Sequence, residues 1–227
     1  MTRSVLVIAA HPDDEILGCG GTLARHARAG DRVSILILGE GATSRADAKA
    51  GDVANLRDAA ERAARILGAS APRFAGLSDN RLDTVALLDV VKCIEEEVAA
   101  RNPAVVYTHH GGDLNIDHRI AHQAVLTACR PLPGSAVRSI YAYETPSSTE
   151  WSDVAIDSAG FRPTRFVDIG TDLDAKLAAL ECYASELRAF PHPRSKAAVT
   201  ALAQWRGTSV GLRAAEAFVV VRDIQTL

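Results

Sequence analysis

Three features are scarce in this 227-residue sequence: membrane-length apolar runs, an excess of basic charge, and paired cysteines. No stretch approaches the roughly 18–20 apolar residues that cross a bilayer. The N-terminal apolar run 5–10 is too short for a secretory leader, and carboxylates follow it at once. These absences predict a cytoplasmic protein with no membrane span. Twenty-five Lys and Arg stand against 28 Asp and Glu, a net charge of −3. That balance excludes a general nucleic-acid binder, which needs a basic face. The four cysteines, Cys19, Cys93, Cys129 and Cys182, lie far apart with no CxxC spacing. Neither a disulfide framework nor a cysteine zinc site follows, and reduced, mostly buried thiols are expected.

What is present describes one folded domain. Hydrophobic residues make up 48% of the chain, enough for a core and too many for disorder. Continuous apolar runs at 5–10, 32–38 and 104–107 read as strands buried on both faces, with a shorter strand at 72–74. Helical periodicity covers 22–29, 53–67, 87–100 and 116–129, and Gly30 and Gly68 stop the first two. A small, polar loop fills 42–52. This alternation predicts an α/β fold, a three-layer sandwich around a mainly parallel sheet. Beyond about residue 131 the pattern is less regular. Strands are expected at 139–143, 165–169 and 217–222, and helices at 172–187 and 195–204. No repeat or composition break marks a second domain.

Two polar clusters follow two of the strands. The first, AHPDDEILGCGG, begins where the first strand ends. Open parallel sheets bind ligands outside the carboxyl ends of their strands. His11 and Asp14, three apart, can bring an imidazole and a carboxylate to one point, a pairing that suits zinc. Asp13 or Asp14 can instead simply cap the next helix. Gly18, Gly20 and Gly21 invite a dinucleotide reading, but that fingerprint needs its glycines in the turn itself, which HPDDE occupies. Close helix packing explains them better. The second cluster, THHGGDLNIDHRIAHQ, follows the strand at 104–107. In the strand order 3-2-1-4-5 it would lie beside the first, and one of its histidines would complete a His-Asp-His set. His118 and His122 are four apart, but Arg119 rules out an HExxH motif. His109 and His110 fit a supporting, a substrate-binding or a merely exposed role.

The pairing of His11-Pro12-Asp13-Asp14-Glu15 with Asn115-Ile116-Asp117-His118-Arg119, about a hundred residues later, resembles the PIG-L/LmbE-like family of zinc-dependent de-N-acetylases. The resemblance implies a Rossmann-like fold and a Zn²⁺ cofactor held by His11, Asp14 and His118. It implies Asp13 as general base toward a metal-activated water, and Asp117 as the group that orients an active-site imidazole. The implied substrate is a small N-acetylglucosamine-type conjugate, and the implied assembly is a trimer or hexamer. Many family members have histidine where this chain has Asn115. Asn115 can donate to an oxyanion but cannot supply a proton. The acid step then falls to Asp13 itself or to another group. His192, held between two prolines, is the candidate, although an exposed loop histidine reads equally well.

Arg45 sits where the family contacts substrate and can grip an anionic aglycone, or it is solvated. Trp151 can stack on a sugar face, and His110 can contact the substrate. Aromatic residues make up only 5% of the chain, which favours a pocket for one or two sugar units over an extended groove. The competing readings are a non-catalytic metal- or nucleotide-binding Rossmann-like module, and a metal scaffold whose catalysis has decayed at Asn115.

Overall fold

The structure, a computed structural model, describes residues 2–44, 49–153 and 160–225. Seven strands form one sheet: β1 (Ser4–Ala9), β2 (Arg32–Gly39), β3 (Arg73–Leu77), β4 (Val105–His109), β5 (Ser139–Tyr143), β6 (Arg165–Asp168) and β7 (Ala215–Asp223). Their order is β3-β2-β1-β4-β5-β7-β6. The first five run parallel, and β7 lies antiparallel to both β5 and β6.

The apolar runs are continuous because both faces of the sheet are covered. Val5, Val7 and Ala9 of β1 pack into one core with β2 residues Val33, Ile35 and Ile37. That core is closed by helices α1 (Asp14–Arg28), α2 (Asp52–Leu67) and α5 (Leu173–Glu181). Leu6 and Ile8 point the other way, into a core closed by α3 (Leu87–Arg101) and α4 (Ile116–Ala128). A further helix, α6 (Lys196–Thr208), packs near β7. The result is the expected single-domain, three-layer α/β sandwich. Cys19 and Cys129 are buried, Cys93 and Cys182 half-buried, and all four are free thiols. No helix among the described residues is long and apolar enough to cross a membrane.

The first helix departs most from the sequence reading. It starts at Asp14, not at residue 22, and takes in Gly18, Gly20 and Gly21. Glycine disfavours helix, but here close packing outweighs propensity. A Cβ on Gly18 would lie 2.1 Å from the Tyr143 ring, and one on Gly21 2.9 Å from Ile169. The glycines therefore serve packing. The helix breaks its geometry at Cys19, where φ is −147°. The polar backbone groups around the kink find a buried ion pair. Lys176 donates to the Leu17 carbonyl and to Glu216, and Glu216 accepts from the Gly21 and Thr22 amides. Another difference is α5, which stops at Glu181 instead of continuing to 187. The turns that follow carry Tyr183 onto Glu15.

Candidate metal centre

The site lies where β1 and β4, parallel neighbours, release the chain at their carboxyl ends. Strand β4 runs two residues further than its apolar pattern, so His109 is a strand residue and fully buried. Its Nε2 accepts from the Ala10 amide at 2.9 Å, and its Nδ1 faces the Thr145 hydroxyl at 3.3 Å. His109 is thereby held neutral, and burial pushes its pKa well down. It stitches the two strand ends together and stacks on His118 with ring centroids 3.9 Å apart.

His11, Asp14 and His118 converge, with their ligand atoms all within 4.8 Å of one another. Asp14 Oδ2 lies 3.4 Å from His11 Nδ1 and 3.3 Å from His118 Nε2. Zinc bonded to such donors at about 2.0–2.2 Å in tetrahedral array separates them by about 3.3–3.6 Å. Asp14 Oδ1 and both ring nitrogens of His118 are buried without a hydrogen-bond partner. Orphaned buried donor and acceptor atoms are costly, and a cation removes the cost. Two imidazoles and a carboxylate form a donor set suited to zinc.

Each imidazole has a carboxylate behind it. His11 Nε2 sits 3.0 Å from Asp117 Oδ2 and 3.5 Å from Asp79 Oδ1. The other oxygen of Asp117 accepts from the Leu82 amide. His118 Nδ1 lies 3.2 Å from Asp113 Oδ1. Asp113 also accepts from the Ser148 and Thr149 hydroxyls, and its pKa falls to about 2, since these bonds and His118 outweigh burial. Burial works against charge on His11 and His118, yet the neighbouring carboxylates prevail, lifting His11 to about 10 and raising His118. The same carboxylate field favours a divalent cation.

Asp13 stands apart from this group. It is a non-glycine residue at φ 103°, and its side chain makes no helix-capping bond. The capping reading therefore fails for Asp13, whose carboxylate, at this unusual backbone position, lies near enough to Asp14 to feel its charge. Its amide donates to Glu15 Oε2, whose partner oxygen is held by the Tyr183 hydroxyl at 2.5 Å. Its Oδ2 accepts from Arg194 Nη1 at 3.0 Å. Burial raises the Asp13 pKa well above the usual range, against the pull of Arg194.

The remaining candidates are placed as follows. Asn115 caps α4, its Oδ1 accepting from the Asp117 amide while its Nδ2 donates to Asn80. His110 is buried with Phe161 edge-on to it at 5.4 Å. His192 Nδ1 accepts from the Arg194 amide, and Trp151, 52% exposed, stands edge-on to His192 at 6.0 Å. Neither His192 nor Trp151 makes a described contact with the three convergent residues. His122 donates to the His109 carbonyl and is not among the three convergent residues. Arg45 lies outside the described residues. Asp113, Asp79, Glu15 and Arg194 were not singled out by spacing. Asp113 was visible only as one polar residue among many in its loop, and Arg194 only as the neighbour of His192.

Residues 6–129, more than half of the chain, match the family profile PIG-L, GlcNAc-PI de-N-acetylase. The chain is 30% identical over 189 residues to an uncharacterized deacetylase, YaiS, of Escherichia coli K12, covering 81% of this chain and 91% of that protein. It is 29% identical over 254 residues to 4-oxalmesaconate hydratase of Pseudomonas putida KT2440, covering 99% and 89%. The structure of the conserved protein TT1542 from Thermus thermophilus superposes with a TM-score of 0.78 at 25% identity, over 100% of this chain and 98% of that one.

Proposed function

This chain belongs to the PIG-L family, and from that premise we propose that it is a zinc-dependent hydrolase removing an N-acetyl group from an N-acetylglucosamine-type conjugate. The observation that carries the reading is the buried His11, Asp14 and His118 cluster with orphaned ligand atoms, next in sequence to Asp13, whose side chain makes no helix-capping bond. Those three residues would hold zinc. Bound there, zinc supplies Lewis acidity, which acidifies water and polarises an amide carbonyl.

The other steps belong to the chain's own side chains. Asp13 accepts a proton from the attacking water at its carboxylate. Arg194 engages Oδ2, and no hydrogen bond to Oδ1 is made among the described residues, so Oδ1 serves as the basic atom. Asn115 keeps one Nδ2 hydrogen beyond the bond to Asn80, and donates it to the developing oxyanion. Asparagine has no proton to give the leaving amine, so Asp13 delivers the one it collected. We prefer Asp13 to His192 for this step because His192 makes no described contact with His11, Asp14 or His118, its ring meeting the Arg194 amide and Trp151. Asp117 and Asp113 fix the two imidazoles. His110, Trp151 and Arg45 are proposed to contact the sugar or its aglycone.

A second reading, addition of water to an unsaturated tricarboxylate, draws on the hydratase relative and on Asn115 in place of an imidazole. The two separate in one assay. Purified protein is offered a panel of N-acetylated amino-sugar conjugates with and without chelator, and new primary amine is measured. Amine release that needs about one zinc per chain is expected. Asp13→Asn should keep the metal and lose about 10²–10⁴-fold in rate. Zinc-dependent hydration of an unsaturated tricarboxylate such as 4-oxalmesaconate, with no amine from any amide, would replace the first reading by the second.

A further inference from the structure

We infer that Arg194 is the positioning residue for Asp13, a strut that fixes the carboxylate of the base from the opposite side of the site. This rests on the reading of Asp13 as the base. Asp13 and Arg194 are 181 residues apart and belong to different parts of the fold. Arg194 Nη1 donates to Asp13 Oδ2 at 3.0 Å, and Arg194 Nε donates to the Ser147 hydroxyl at 2.7 Å. One planar guanidinium thus ties the β1–α1 turn to the loop after β5. Glu186 Oε2, 4.0 Å from Nη1, adds a second carboxylate beside it.

The arginine is itself anchored. Ser195, the next residue, caps α6 by accepting from the Ala198 amide at 3.1 Å. The Arg194 amide donates to His192 Nδ1 at 3.1 Å, and the His192 amide donates to the Ala189 carbonyl. The segment 189–195 is therefore braced at both ends, and the side chain is only 24% exposed. An unanchored surface arginine would form a weak, wandering ion pair. This one has two directed bonds from a rigid fork, so it can hold a carboxylate to one orientation.

The strut also explains a feature of Asp13. Its backbone amide is fixed by Glu15, but that bond leaves the side chain free to rotate. Only Arg194 restrains the carboxylate itself among the described residues. A base displaced by about 1 Å loses about 10²-fold in rate, so the restraint should be visible in turnover. The assignment also gives His192 a role: its ring orients the segment that carries Arg194, without touching the reacting atoms.

The test uses zinc-loaded protein and compares Arg194→Gln, Arg194→Lys, Asp13→Asn and the Arg194→Gln/Asp13→Asn double variant. For amide hydrolysis, Arg194→Gln should lower kcat about 10- to 100-fold with KM within about twofold and zinc content unchanged. Added guanidinium ion should restore part of the Arg194→Gln rate, and Arg194→Lys should fall between. Arg194→Gln should cost nothing further in the Asp13→Asn background. A KM that rises at constant kcat would overturn the proposal, because Arg194 would then be gripping substrate. A kcat within threefold of wild type would overturn it as well. Thermal unfolding of the same four proteins gives a readout free of activity. The shift caused by Arg194→Gln should be at least twofold smaller when Asp13 is already asparagine. Equal shifts in both backgrounds would refute the strut. If the wild type releases no amine from any conjugate, the deacetylase reading fails, while the unfolding cycle still decides whether Arg194 and Asp13 are coupled.

Discussion

Replacing Gly18 with alanine adds one methyl group and should disturb the metal site from behind. The new Cβ would meet Tyr143 Cδ2 at 2.1 Å, Cγ at 2.6 Å and Cε2 at 2.7 Å. Ordinary contact needs about 3.5–4.0 Å, so the ring must move by more than 1 Å. It has no free direction. Tyr143 is fully buried, its hydroxyl donates to the Ile8 carbonyl at 2.9 Å, and its ring lies 4.7 Å from that of His109. His109 in turn stacks on His118, a proposed ligand. Overpacking of this kind costs about 1–3 kcal/mol, and a stranded buried hydroxyl adds about 1–3 kcal/mol. The gain in helix propensity returns only about 1 kcal/mol. The net loss is about 3 kcal/mol, or about 6–12 °C in Tm for a domain of this size. Gly20→Ala is the milder comparison, because its Cβ meets Ile16 Cγ2 and Lys176 Cγ at 3.2 and 3.3 Å, tight contacts without the overlap found at Gly18. Thermal unfolding with and without zinc should show a large drop for Gly18→Ala, a small change for Gly20→Ala, and weakened zinc binding in the first alone. A Gly18→Ala protein with wild-type Tm and zinc affinity would refute this account of why glycine occupies the helix.

Three further outcomes follow from the same contacts. Asp113→Ala removes the carboxylate behind His118, and zinc affinity measured by chelator competition should fall about 10–100-fold; unchanged affinity would deny Asp113 its orienting role. Glu216→Ala leaves the buried Lys176 ammonium and two amides at the helix kink unpartnered, and urea unfolding should show a loss of about 3–5 kcal/mol. Burial, against the Tyr183 bond, raises Glu15 from 4.5 to about 7, so between those values the folded state binds the extra proton. The Glu15 contribution to the stability of the zinc-free protein should therefore fall by about 3 kcal/mol as pH rises from about 4.5 to 7. Glu15→Gln should remove that share of the pH dependence, and an equal slope in both proteins would refute it.

Much of the site was legible because its proposed metal-holding residues are local in sequence or sit at strand ends. His11 and Asp14 share one turn, and His118 opens the helix after a strand that the parallel order places next door. The carboxylates behind the histidines were only half legible. Asp117, adjacent to His118, turns out to hold the other imidazole, His11, across 106 residues. Arg194 carries no spacing signal, because it meets Asp13 only through the fold, and Asp113, though close to His118 in sequence, sits in a loop whose path periodicity does not fix. His192 was singled out for a stiff loop position, and the stiffness is there, but its ring is bonded to the Arg194 backbone. The start of α1 was misplaced because propensity rules count glycine against helix, whereas a bulky ring pressed on Gly18 demands it.

The sequence by itself determined the layer architecture and the donor chemistry. Continuous apolar strands can be stable only with helices on both faces, and histidine and aspartate three apart at a strand end place two hard-to-bury donors at one point. The tertiary structure decided which carboxylate serves which imidazole, how the helix bends over its glycines, and what steadies Asp13. Apart from the Asp113–His118 pair, those contacts join residues far apart in sequence, up to 195 positions. Their geometry depends on side-chain packing across the sheet, which periodicity and spacing along the chain do not encode.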